Sequence, residues 1–269
     1  MKRTKTTRQS RRSNRYDEEE QIAVKEKFLQ RARDEDNESR PSAVVKLEPK
    51  NNNQRTAIQY LNANTPIVFL TGSAGTGKSM LAAWKACDAL RKKQINKIFL
   101  IRPAVSVGKS VGMLPGDIDE KLKPYFAQTI AHMEKFLGKG YVEYCLRVGI
   151  IEMKPVEYLR GMSFDSCLCI SEEVQNFTSD EMEMMLTRLG ENCQIIFTGD
   201  QKQNDLRGTS GLEKTIELLR RIQATAPAYM TREDMDELDA GIGIVQFTPA
   251  DVVRSGLTRA FVKLYYNNS

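Results

Sequence analysis

Apolar residues in this chain gather in short continuous runs, separated by longer stretches in which they recur every three or four positions. The run Pro66-Ile67-Val68-Phe69-Leu70-Thr71 is representative, being apolar up to its last residue and β-branched at Ile67, Val68 and Thr71. Strands covered on both faces read in this way, whereas a half-exposed strand alternates apolar and polar positions. Strands are therefore expected at 66–71, 97–101, 167–171, 193–198 and 242–247. Helical spacing predicts helices at 51–61, 78–93, 118–137, 179–188 and 211–222, and the stretch 141–160 reads as a short helix near 141–147 and a strand at 149–153. Strands alternating with helices favour an α/β fold, with a largely parallel sheet flanked by helices and joined by right-handed crossovers.

Residues 1–50 do not share this pattern. They read as an appendage, partly disordered: a basic arm, an acidic patch at Asp17–Glu20, a short helix at 21–33, a polar linker and a short edge strand at 43–47. The core is expected over 51–265, with 266–269 a frayed terminus. Net charge sharpens the division. The chain carries +5, but Lys2, Arg3, Lys5, Arg8, Arg11, Arg12 and Arg15 supply seven positive charges with no acid among them, which leaves −2 on everything after residue 15. The arm reads equally as a contact for nucleic-acid phosphates or as a solvated, disordered terminus. Five cysteines show no CxxC spacing, and Cys167 and Cys169 alternate along a buried strand, as core thiols in a reducing compartment would. No apolar run reaches the roughly 18 residues of a membrane span, and no export signal follows the early basic residues, so a cytoplasmic protein without a membrane segment is expected.

The candidate chemistry begins between the first core strand and its helix. Gly72-Ser73-Ala74-Gly75-Thr76-Gly77-Lys78-Ser79 has the spacing of a phosphate-binding loop. Its glycines let the backbone close around phosphates, its amides point inward, and the helix N-terminus adds partial positive charge. Lys78 would reach the β- and γ-phosphates and Ser79 would hold Mg²⁺. Such a loop needs an acidic partner, and the strand Cys167–Ser171 runs into Glu172-Glu173. Glu172 is assigned to the metal and Glu173 to water activation, with Glu172 standing one methylene longer than the usual Asp. A second strand leads into Gly199-Asp200, and Gln203 would sense the γ-phosphate or place water. Arg188 and Arg254 are candidates for stabilising transferred charge, in the same subunit or a neighbour, while Arg188 reads equally as a helix C-terminal cap. In the Gly/Pro-rich stretch after strand 97–101, Arg102 and Lys109 are candidate contacts to a nucleic-acid backbone. His132, the single histidine, reads as a packing or surface residue.

With these motifs in order, the chain resembles the PhoH-like proteins, phosphate-starvation-inducible P-loop ATPases of bacteria and bacteriophages related to the cores of superfamily 1 helicases. The resemblance spans residues 50–265. It is carried by Asn51 and Gln54, Gly72–Ser79, Arg102-Pro103, Gly108, Gly112, Leu114-Pro115-Gly116-Asp117, Lys121 with Pro124-Tyr125, and Ile151-Glu152. Arg160-Gly161, Gln175-Asn176, Met182, Leu186–Gly190, Gly199-Asp200, Gln203, Asp205-Leu206, Ser210-Gly211-Leu212 and Asp251–Arg254 continue it. The chain departs from the family pattern at Lys109, Met162, Glu172, Val174 and Ser255. The resemblance implies one RecA-like core, ATP and Mg²⁺ as cofactors, Gln54 as an adenine reader, RNA or single-stranded DNA as partner, and a homo-oligomer of hexameric-ring type in which Arg188 or Arg254 acts in trans. An ATPase coupled to nucleic acid is the leading expectation. An ATP-regulated nucleic-acid-binding scaffold with negligible turnover is the alternative, and a small-molecule kinase is weaker because no acceptor site is evident.

Overall fold

The computed structural model describes residues 46–103, 122–206 and 208–267. The first core helix is α1 (Asn52–Asn62), followed by β1 (Ile67–Gly72), α2 (Lys78–Arg91) and β2 (Lys97–Arg102). A 3₁₀ turn at Lys123–Phe126 leads into α3 (Ala127–Leu137), α4 (Lys139–Arg147) and β3 (Ile151–Pro155). Then come β4 (Cys167–Glu172), α5 (Ser179–Leu186), β5 (Gln194–Gly199), α6 (Gly211–Ala224), α7 (Arg232–Gly241), β6 (Ile242–Phe247) and α8 (Gly256–Asn267). The six strands form one sheet in the order β3-β2-β4-β5-β1-β6, and every pairing is parallel.

Both faces of this sheet are covered, which is why its central strands read as unbroken apolar runs. Odd-numbered residues of β1, β2, β4 and β5 (Phe69, Phe99, Cys169 and Phe197 among them) pack with Met182 and Met185 of α5 and Leu212 and Ile216 of α6 in one cluster. Phe69 and Phe197 stack there with ring centroids 4.8 Å apart. On the other side α2 contacts β4 and β5 and is itself backed by α3. Cys167, Cys169 and Cys193 lie in the first cluster as buried free thiols, and Cys87 and Cys145 are also free and buried.

Parallel pairing sends every strand's carboxyl end to one edge. The register fixes what arrives there: Thr71 pairs Gly199, Glu172 pairs Thr198, and Ile101 pairs Ser171. Gly72 ends β1 at φ +109°, and a Cβ there would stand 1.9 Å from the carbonyl oxygen of Phe247 on β6. Only glycine lets the chain leave β1 beside β6 at this angle.

Two helices, α7 and α8, were not expected from the sequence. The helix α8 continues to Asn267. Its last turn is held by Lys202, whose ammonium donates to the Tyr266 carbonyl and lies 4.0 Å from the Tyr266 ring centroid. The expected helix 118–137 starts with the 3₁₀ turn and becomes α-helical only at Ala127, after Pro124 has removed a backbone donor. The readings of residues 1–45, Lys109 and the Gly/Pro-rich motifs after Pro103 lie outside the described residues. Residues 46 and 47 carry no strand. Among the described residues no helix is long and apolar enough to cross a membrane.

Candidate functional site

The glycine-rich loop, the ends of β2, β4 and β5, one face of α3 and the segment after β6 enclose a cavity of about 340 Å³. Its walls include Ala74, Gly75, Gly77, Lys78 and Ser79, with Glu172, Glu173, Asp200 and Gln203 on the facing loops. Gly77 is the N-cap of α2 at φ +95°, Lys78 is its first residue, and no acid sits in its first turn to cancel the dipole. Unpaired amides and the positive end of the helix dipole therefore face the cavity here, the arrangement that favours negative charge.

Lys78 donates to the carbonyls of Gly72 at 2.5 Å and Ser73 at 2.9 Å, so the ammonium is curled into its own loop. Burial lowers its pKa to about 8, against the pull of Asp200 and Glu173, which favour the charged form. Gln54 lies beneath the loop and is 1% exposed. Its Nε2 donates to the Thr76 carbonyl at 2.8 Å and its Oε1 accepts from the Lys50 amide at 2.8 Å. The side chain expected to read adenine thus buttresses the loop and is absent from the cavity wall. Asn51 is the N-cap of α1, accepting from the Gln54 amide and donating to the Asp251 carbonyl.

The two carboxylates at the end of β4 have different surroundings. Glu172 is 3% exposed; Oε2 accepts from Arg102 Nε at 3.1 Å and Nη2 at 2.9 Å, and Oε1 accepts from the Thr129 hydroxyl. Glu173 follows in the left-handed region at φ 55°, a conformation rare for a side chain of this kind, and it turns toward the cavity. Gln175 fixes it there. Gln175 Nε2 donates to Glu173 Oε2 at 2.7 Å and to the Gln203 carbonyl at 3.3 Å, while its Oε1 accepts from the Asp200 amide at 3.0 Å. Asn176 extends the tie: it donates to Asp205 Oδ2 at 3.1 Å and accepts from the Asp205 amide at 2.8 Å. The loops after β4 and β5 are one hydrogen-bonded unit. Gln203 Nε2 donates to Asp200 Oδ2 at 3.1 Å, so its amide is placed by the same unit.

The remaining candidates separate. Arg254 lines the cavity and lies along Gly75, whose added Cβ would stand 3.3 Å from Arg254 Nε; the neighbouring Val253 amide donates to the Gly75 carbonyl at 3.1 Å. Arg188 is outside the cavity, with Nη1 donating to the Met162 carbonyl at 3.1 Å. Arg102, expected at a nucleic-acid backbone, is among the residues that line the cavity. His132 joins Gln128, one turn earlier on α3, in the cavity wall, and burial together with Lys135 and Arg254 holds its pKa below the ordinary imidazole value. Gln175 and Thr129 were not singled out for this chemistry, although Gln175 stands only two residues after Glu173.

The family model for "PhoH-like protein" matches residues 46–266, which contain every element of this cavity. The chain belongs to the PhoH-like family. It is 38% identical over 214 residues to Protein PhoH of Escherichia coli (strain K12), covering 77% of this chain and 56% of that one. It is likewise 38% identical over 214 residues to a PhoH-like protein of Bacillus subtilis (strain 168), covering 79% and 61% respectively. This PhoH-like chain therefore spans less than two thirds of the length of either relative. Among solved structures, the Sulfolobus solfataricus SWI2/SNF2 ATPase core in complex with dsDNA aligns over 75% of the chain and 46% of its own, at 18% identity and a TM-score of 0.37.

Proposed function

We propose that this PhoH-like chain binds ATP in the cavity at the carboxyl edge of the sheet and hydrolyses it, coupled to binding or remodelling of RNA or single-stranded DNA. The observation that carries the reading is convergence: residues from the loop at 72–79, Glu172-Glu173 and the Asp200–Gln203 turn, far apart in sequence, line one cavity of ligand size. The amides at the start of α2 and Lys78 would neutralise phosphate charge. Glu173, held by Gln175, would accept the proton of a water that attacks the γ-phosphorus, the bond to the bridging oxygen breaking to release ADP and phosphate. Gln203 would orient that water.

The residues present fit Mg²⁺, because the donors are hard oxygens on Ser79, Glu172, Glu173 and Asp200. Ser79 would hold the ion directly. Glu172 has about four acceptor sites, of which three are taken by Arg102 and Thr129, leaving one for a metal-bound water. When bound, the ion neutralises charge on the β- and γ-phosphoryl oxygens. A single core of this size would move along nucleic acid only as part of an oligomer, so a homo-oligomeric ring is included in the proposal. Arg254 serves in its own cavity, and Arg188 is the candidate for a neighbour's.

ATP hydrolysis measured with and without RNA and single-stranded DNA tests the reading. Stimulated turnover that disappears in both Lys78→Ala and Glu173→Gln supports it, with a fall of at least about a hundredfold expected in each. Salt-sensitive nucleic-acid binding without turnover would replace it with an ATP-regulated scaffold.

A further inference from the structure

Arg102 is the last residue of β2, and its guanidinium is set by more contacts than a surface charge receives. Nε and Nη2 both reach Glu172 Oε2, and the guanidinium carbon lies 5.4 Å from the Phe126 ring centroid. Thr129 holds the other oxygen of Glu172, so the carboxylate cannot turn away from the arginine. Side-chain exposure is 17% for Arg102 and 4% for Glu172. Removing two charges from water is costly, and an apolar pair of similar volume is often as stable, so stability alone is a weak reason for this arrangement. The guanidinium also lines the cavity that contains Lys78 and the start of α2.

We propose that Arg102 is the in-chain cation that meets the terminal phosphoryl group of the bound nucleotide, and that Glu172 and Thr129 are its positioning residues. This rests on the nucleotide reading above and deepens it. Of the three arginines considered, Arg188 is outside the cavity and Arg254 lies along Gly75, whereas Arg102 stands beside the carboxylate pair where hydrolysis would occur. In that step a water oxygen bonds to the γ-phosphorus and the bond from γ-phosphorus to the bridging oxygen breaks. The bond pair stays on the ADP oxygen, and the water proton passes to Glu173. Charge grows on the oxygens around phosphorus. A guanidinium already fixed by two donors on one carboxylate oxygen stabilises that charge without reorganising.

The test uses the full chain and two readouts. The first is the ratio of affinities for a non-hydrolysable ATP analogue and for ADP, taken by calorimetry in magnesium-free buffer so that metal ligation does not enter. Arg102→Gln alone leaves Glu172 buried and unpaired and is expected to melt lower; Arg102→Gln with Glu172→Gln restores a neutral pair and a melting temperature near the parent's. In this double variant the ratio is expected to fall at least about tenfold below the parent's, Lys78 being intact, while ADP affinity stays within about threefold. The second readout is turnover of Arg102→Lys, which keeps charge and Glu172 but loses the planar fork, with kcat expected to drop about a thousandfold. A double variant with the parent's ratio, or Arg102→Lys with the parent's kcat, overturns the proposal. A parent that binds nucleotide without hydrolysing it removes the ATPase reading, yet the ratio still decides Arg102. A parent that binds neither nucleotide overturns both.

Discussion

Lys78 is a buried ammonium whose pKa, about 8, lies close to ordinary assay conditions. Phosphate favours its protonated form, so binding takes up a proton wherever the free side chain is neutral. Affinity for ATP should be constant below about pH 8 and fall up to about tenfold per unit above it. Calorimetry in buffers of different ionisation enthalpy would show proton uptake growing from pH 7 to 9, and a flat profile would mean the ammonium is charged throughout. Gln54 offers a second test. With both amide atoms engaged by Thr76 and Lys50, Gln54→Ala should cost about 1–3 kcal/mol of stability in urea denaturation and weaken ATP and GTP equally. Loss of ATP over GTP preference alone would restore the adenine-reading assignment. That Lys78, Ser79, Glu172 and Glu173 line one cavity was legible because two short contiguous strings, each following a strand, hold them. Gln54 was legible as a residue near the loop but not as its buttress, a position that depends on Asn51 fixing the first turn of α1. The Arg102–Glu172–Thr129 contacts join residues 43 and 70 positions apart, and no local pattern announces them.

Among the elements, β1 and β6 and the loop between β1 and α2 form a single mechanical unit. Gly72 belongs to the strand ladder and to the glycine-rich loop at once, and the Ser73 amide donates to the Phe247 carbonyl at 3.4 Å. A methyl group at residue 72 would force β6 away from the loop. Gly72→Ala should therefore cost about 3 kcal/mol in chemical denaturation and abolish nucleotide affinity together with it. Nucleotide binding at parental strength in Gly72→Ala would show that the loop closes independently of β6. The central strands were readable because burial on two faces leaves an unbroken apolar run. The helix α7 was not, since its sequence Arg232–Gly241 is largely acidic and none of its residues is buried. Its start is written locally, in the Thr231–Asp234 capping box. The helix α8 carries a visible signal, with Leu257, Phe261, Leu264 and Tyr265 at helical spacing, but those residues face solvent and gave no core pattern to read.

At the scale of the whole molecule, charge and fold are divided between different parts of the chain. The PhoH-like match begins at residue 46, while the seven positive charges of the arm end at Arg15. Everything after the arm carries −2, so long-range attraction to a nucleic-acid backbone has to come from the arm or from cations clustered locally on the core. These sources differ in their dependence on salt. Each phosphate neutralised on a single strand contributes about 0.7 to the slope of log affinity against log salt, so full engagement of seven arm charges would contribute a slope of about 5. Deleting residues 2–15 should then flatten the salt dependence of RNA or single-stranded DNA binding by up to that amount, while ATP turnover without nucleic acid stays at the parental value. Fluorescence anisotropy at several salt concentrations measures the slope. If deletion leaves it unchanged, the positive charges that meet nucleic acid are on the core, and coupling to ATP does not pass through the arm. If deletion removes most of it but nucleic acid still stimulates turnover at low salt, the arm only recruits and the core carries the coupling.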